Sequence, residues 1–135
     1  AVQLGELRMA AVVAVNAWEN FDSSTGRKIA GLRTEDGIAF SDSCEELWKM
    51  GQRENLFTGN TTIGAVITNG KFNKAQMNKI ASMTRNAYAA ALTGGNYGGG
   101  DSIYAASAGE VEADLNVAGT LAAYVMERAI VAAIR

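Results

Sequence analysis

The sequence predicts an α+β fold on three observations. A valine-rich run near the start and a β-branched run in the middle have the composition of strands. Two alanine-rich segments carry the three- and four-residue apolar spacing of helices. No internal repeat or proline-rich linker separates them, so residues 1–135 are expected to form a single domain. With 48% hydrophobic and 19% charged residues, the chain can bury a moderate core and has the balance of a globular domain.

Leu7 to Val15 is a continuous apolar run, which suits a strand covered on both faces and ended by Asn16. Asp22-Ser23-Ser24-Thr25-Gly26 is turn chemistry, and Arg27 to Arg33 returns as the second arm of a hairpin. Ser41-Asp42-Ser43 before Glu45 and Glu46 marks the start of a short helix with Leu47, Trp48 and Met50 on its apolar side. Thr61 to Thr68 is β-branched and bounded by Asn69-Gly70, so a strand is expected to begin at Thr61. Asn73 can cap a helix whose inward stripe runs Met77, Ile80, Ala81, Thr84, Ala87, Tyr88 and Ala91, stopped by Gly94-Gly95. Gly98-Gly99-Gly100 opens a loop into Asp101, and Ser102 to Ala108 alternates loosely as a strand. Asp114 caps a last helix with Leu115, Ala118, Leu121, Ala122, Val125, Ala129 and Ala132 inward. Val117, Tyr124 and Ile130 make that helix apolar beyond its inward side, so another polypeptide is expected to cover part of it.

Several function classes lose ground on composition. A net charge of −2, with twelve basic residues scattered singly, provides no stripe for phosphates, so no nucleic-acid partner is expected. One cysteine and no histidine exclude an internal disulfide and a Ser-His-Asp triad, and leave no usual zinc constellation and no expected metal. No apolar run approaches the eighteen or more residues of a membrane span, so no membrane partner is expected, and one unpaired cysteine suits the cytoplasm. A first residue other than methionine is what a processed piece or fragment would have.

The chemistry concentrates at Gly59-Asn60-Thr61-Thr62-Ile63, where a polar loop turns into an apolar strand. A threonine hydroxyl needs a base, and without histidine the candidates are a carboxylate, a lysine or an α-amine. An α-amine, with an unperturbed pKa of about 8, is substantially neutral near pH 7 and can accept the proton. If Thr61 Oγ added to the Asn60 carbonyl and water resolved the ester, one residue would emerge carrying both nucleophile and base. Polar residues before Thr-Thr at a strand are common, so spacing alone leaves an ordinary loop-to-strand junction open.

Gly59-Asn60-Thr61-Thr62-Ile63-Gly64-Ala65-Val66-Ile67-Thr68-Asn69 followed by Lys74-Ala75-Gln76 resembles the self-cleavage region of the L-aminopeptidase/D-esterase family of N-terminal-nucleophile hydrolases, with its β-peptidyl aminopeptidase, pantetheine hydrolase and nylon-oligomer hydrolase members. Gly100-Asp101-Ser102-Ile103-Tyr104-Ala105 is similar to a further strand of that family, and Leu4-Gly5-Glu6-Leu7-Arg8 with Val12-Val13-Ala14-Val15-Asn16 to the strand ending in an active-site asparagine. The resemblance covers most of the chain in order. It implies part of an αββα sandwich with helices outside two packed sheets, and cleavage between Asn60 and Thr61. Residues 1–60 would end an α-subunit-like segment and 61–135 form a β-subunit-like one.

It further implies Thr61 as nucleophile, its freed amine as base, Asn16 as oxyanion donor and Asp101 as the acid that positions the Thr61 hydroxyl and amine. One such oxyanion hydrogen bond is worth about 3 kcal/mol in a transition state. The competing readings are that Asn16 terminates a strand and Asp101 caps a turn. The implied activity is hydrolysis of small amino-acyl amides or peptides through a Thr61 acyl-enzyme, with no cofactor. The alternative is a noncatalytic binding or assembly subunit of the same fold.

Two departures stand out. Where the family carries a polar residue two positions before Asp101, this chain has Gly99, and the upstream part that supplies tyrosine and lysine groups is missing. A further chain or an N-terminal segment is therefore expected to complete the sandwich, in a homo- or hetero-oligomer. The remaining conspicuous residues have ordinary readings. The Gly94 to Gly100 stretch lacks the strand-to-helix setting of a phosphate cradle, and Cys44 beside Glu45 and Glu46 is poorly placed for a nucleophile. Trp18 and Trp48 are expected to pack on the core, and Lys71 and Lys74 to be solvated.

Overall fold

The computed structural model describes residues 1–51, 60–93 and 100–134. Gly59, the Gly94-Gly95 helix stop and the Gly98-Gly99 part of the loop lie outside the described residues, as do the side chains of Leu47 and Met50.

The fold is α+β, with a mixed four-stranded sheet as its frame. Strand β1 (Val2–Leu4) and strand β2 (Leu7–Ala14) form a tight hairpin in which Leu4 pairs with Leu7, and Gly5 takes a φ of 59° that a residue with a Cβ rarely adopts. Strand β3 (Glu19–Asp22), a short strand that the sequence does not predict, and strand β4 (Arg27–Gly31), the expected returning strand, form a second hairpin, with the turn closed by Gly26 N donating to Asp22 O at 2.7 Å. The returning strand ends at Gly31 instead of Arg33 and pairs with β3, not with the apolar run. Helix α1 (Ser43–Met50) starts where expected, with Asp42 Oδ1 accepting from the amides of Cys44 at 2.8 Å and Glu45 at 3.0 Å. The buried Glu19 carboxylate ties this region together, accepting from Lys28 Nζ and, at 3.3 Å, from Ser43 N, while Lys28 Nζ also donates to Ser41 O at 2.7 Å.

Strand β5 (Ile63–Gly70) leads into helix α2 (Lys74–Ala91). Asn73 caps α2 in a full capping box with Gln76, and the expected stripe is buried at every position but Ala81, which is half-buried. The short strand β6 (Leu92–Thr93) pairs with β3, making a second sheet ordered β4-β3-β6. Strand β7 (Ser102–Val111) is longer than its alternation suggests, and helix α3 (Leu115–Ile134) begins after Asp114, whose carboxylate accepts from Asn116 N at 2.8 Å.

The larger sheet is ordered β1-β2-β5-β7, antiparallel except for the parallel β5/β7 pair. Helices α2 and α3 pack on one face, closing a core of Met9, Val66, Ile80, Met126 and Ile130. Burying side chains of this size is worth about 1.5–3 kcal/mol each.

Five expectations are corrected. The β2 strand is covered on one face only: Met9 is buried, whereas Val12 is 64% exposed. The middle strand begins at Ile63, two residues after Thr61. Trp48 lies exposed on α1 instead of packing on the core. Helix α3 is turned about its axis so that Met126 and Ile130 are buried and Ala132 is exposed, because the larger side chains fill the space over β2 and β5 better than alanine does. Finally, α3 is long and apolar enough, by length and composition, to cross a membrane, although Asn116, Thr120, Glu127 and Arg128 interrupt its apolar runs. A third of its most apolar window is buried in the domain.

Candidate active site

Strand direction gathers the predicted residues at one end of the four-stranded sheet. Because β5 and β7 run parallel, the residues just before each of them, 60–62 and 100–101, emerge at the same edge. Because β2 runs antiparallel to β5, its C-terminal exit at Asn16 lies there too. Segments separated by about 40 residues on either side of the seam are thus neighbours.

The contacts confirm this placement. The β2/β5 register ends formally at Ala14 opposite Ile63, and continuing it sets Asn16 opposite Thr61, where Thr61 N donates to Asn16 O at 3.1 Å. On the other side, Thr62 N donates to Asp101 Oδ1 at 2.7 Å, a short bond to a carboxylate, and Ser102 N donates to Thr62 O at 3.1 Å. Asn16, Thr61 and Asp101 therefore meet within one residue of each other along the seam. The bond at Asn16 is made by its backbone carbonyl to the Thr61 amide nitrogen, and Asp101 bonds the amide of Thr62. The polar Ser102 side chain turns back on Gly100 O at 3.1 Å.

The two adjacent threonines are in unlike surroundings. Alternation along β5 puts Gly64, Val66 and Thr68 against the helices, and Thr62 belongs to this set with no exposed surface. Thr61 falls on the opposite side with Ile63 and remains half-buried, within reach of solvent. Thr62 Oγ1 and Asp101 Oδ2 are buried without a hydrogen-bond partner among the described residues.

Tyr88 was expected only as one member of the α2 stripe. Its hydroxyl lies 3.2 Å from Ser102 O and 3.5 Å from Thr62 O, beneath the β5/β7 pair. Burial, and secondarily the Asp101 charge, push its phenol up to about 12, so it is a protonated donor at any ordinary pH. The signal that could have found it is Gly64, a glycine inside a β-branched run, which marks the close approach of another group. Among the described residues no cluster of three His, Cys, Asp or Glu side chains could hold a metal ion.

Chemically, the arrangement offers a half-buried Thr61, a carbonyl acceptor on its backbone nitrogen, and a carboxylate on the nitrogen of the next residue. No protein-family model matches the sequence, and no curated protein matches it.

Proposed function

We propose that this chain is a self-processing N-terminal-threonine hydrolase whose first substrate is its own Asn60–Thr61 bond. The observation that carries this reading is the convergence of Asn16, Thr61 and Asp101 from three separate segments on one loop-to-strand junction.

In the first step Thr61 Oγ adds to the Asn60 carbonyl carbon, the C–N bond breaks, and the hydroxyl proton passes to the departing Thr61 nitrogen. Water then hydrolyses the ester, leaving Asn60 as a carboxylate and Thr61 with a free amine and a free hydroxyl. The Asn16 carbonyl, already 3.1 Å from that nitrogen, holds the new amine beside its own hydroxyl. In each later turnover the amine takes the hydroxyl proton as Oγ attacks a small amino-acyl amide or peptide, and returns it to the leaving amine. Water, deprotonated by the same amine, then hydrolyses the Thr61 acyl ester, releasing the acid and restoring the hydroxyl. Asp101 anchors the following residue and supplies the local negative charge that favours a protonated amine between steps.

A second reading, a noncatalytic assembly subunit, is favoured by one observation. The sheet face away from the helices exposes Val12 at 64%, Ile63 at 51%, Ile67 at 46% and Tyr104 at 66%, a setting suited to a further chain or segment of an oligomer. Intact-mass analysis separates the two. Fragments 1–60 and 61–135 support the hydrolase, and a chain that stays whole on prolonged incubation with or without its native partner overturns it. Cutting that persists in Thr61→Ala would exclude this nucleophile.

A further inference from the structure

We propose that the Tyr88 hydroxyl positions the Asn60–Thr61 junction by clamping the strand pair directly behind it, an inference that rests on the self-processing reading. Tyr88 is on α2, away from the seam in sequence, and almost fully buried. Its hydroxyl reaches carbonyls on both members of the parallel pair, Ser102 O at 3.2 Å and, more distantly, Thr62 O at 3.5 Å. Thr62 is thereby restrained at both ends of its peptide: Asp101 Oδ1 holds its nitrogen at 2.7 Å and Ser102 N holds its oxygen at 3.1 Å, while the Tyr88 hydroxyl, donating to Ser102 O, steadies the strand that carries that second contact.

The consequence falls on Thr61. Closing the five-membered ring between Oγ and the Asn60 carbonyl requires a specific rotation of Thr61 about its own Cα. If the strand behind could slide, the chain would relax instead of approaching the carbonyl. With Thr62 clamped and Thr61 N on Asn16 O, motion is confined to the side of the bond that breaks.

Gly64 supplies an independent observation. A Cβ on Gly64 would stand 2.7 Å from the Tyr88 hydroxyl oxygen and 2.7 Å from Met126 Cε. Glycine weakens a strand interior, so its place here, two residues from Thr62 on the same face, is accounted for by the room it leaves for the phenol tip and the Met126 methyl, of which only the phenol carries a hydrogen-bonding group. A tyrosine that only filled space would not need its hydroxyl in this slot. Phenylalanine would fill the same volume without burying a phenol oxygen near a carboxylate.

The test uses the full chain and follows the appearance of fragments 1–60 and 61–135 by intact mass, with the folded fraction of each sample taken from its unfolding curve. Tyr88→Phe is expected to slow cutting by about tenfold or more, the scale of a small misplacement of reacting groups. Gly64→Ala, which pushes the hydroxyl aside, is expected to slow it as well, and the double variant to be no slower than the slower single one. Incorporating 3-fluorotyrosine at position 88, which restores a hydroxyl, is expected to restore the wild-type rate. A wild-type chain that is cut while Tyr88→Phe is cut equally fast overturns this inference alone. Additive effects of the two substitutions, or no rescue by 3-fluorotyrosine, overturn it too. A wild-type chain that is never cut overturns the seam and the clamp together.

Discussion

The two faces of β5 have the same backbone and opposite employment. Toward the helices, Val66 and Thr68 are buried with Met126 and Ile130, in a close-packed layer where each methyl group counts. Away from them, Ile63 and Ile67 are exposed, and the same side carries Thr61 beyond the strand's first residue. The contrast teaches that a period of two can separate a packed face from an open one along a single strand. The inward set anchors the sheet, and the outward side leaves Thr61 half-buried, within reach of solvent.

The sharpest way to break this comparison is at the adjacent threonines. Thr61→Ala is expected to abolish cutting, whereas Thr62→Val should leave it in place, because the Thr62 hydroxyl is buried and has no hydrogen-bond partner among the described residues. Removing such a group is expected to leave stability unchanged or raise it by up to about 1 kcal/mol. If Thr62→Val stops cutting in a folded chain and Thr61→Ala does not, the assignment of roles is reversed. Next in size is the core. Ile130→Ala should destabilise the fold by about 2–5 kcal/mol in denaturant titrations, while Ile67→Ala on the open face should change it by about 0.5 kcal/mol or less. Equal losses would mean that the open face is packed in solution.

Asp101 sits between the two regimes. Asp101→Ala strips the acceptor from the Thr62 amide and is expected to cost about 1–3 kcal/mol, with slower cutting, whereas Asp101→Asn keeps an acceptor oxygen and should retain most of the stability. If both variants lose equally, the charge matters more than the bond. The smallest effect is alkaline. The Tyr88 phenol is raised in the folded chain from 10.0 to about 12, so the protonated form is favoured by folding. That contribution is fully present below pH 10.0 and is lost as pH rises toward about 12. Unfolding midpoints should therefore fall more steeply across that range in wild type than in Tyr88→Phe, and parallel curves would argue that the phenol is solvated.

Much of the fold was legible because its signals are local. Asn73 with Gln76, Asp114, and Asp42 each announce a helix start through side-chain acceptors a few residues from the amides they satisfy. The Asp22 to Gly26 turn likewise contains its own hydrogen bonds. The β1 strand was not read, since three residues before a glycine turn are too short to show a period. The rotation of α3 was not read either. In a helix this rich in alanine several faces are nearly equivalent, and only the space left by β2 and β5 selects Met126 and Ile130. At the site, the seam residues and Asp101 could be named from the order of motifs, but Tyr88 could not, because its role depends on how α2 crosses the β5/β7 pair.

By itself, then, the sequence determined the longer elements and the helix caps, the β-branched strand after Asn60-Thr61, and a composition without histidine. Tertiary structure alone decided which of two neighbouring threonines faces outward, that Asn16 and Asp101 flank the junction, and that a phenol lies beneath it. Caps and turns are settled by groups a few bonds apart, whereas strand order and direction determine which distant ends share an edge, and no short stretch of sequence contains that information.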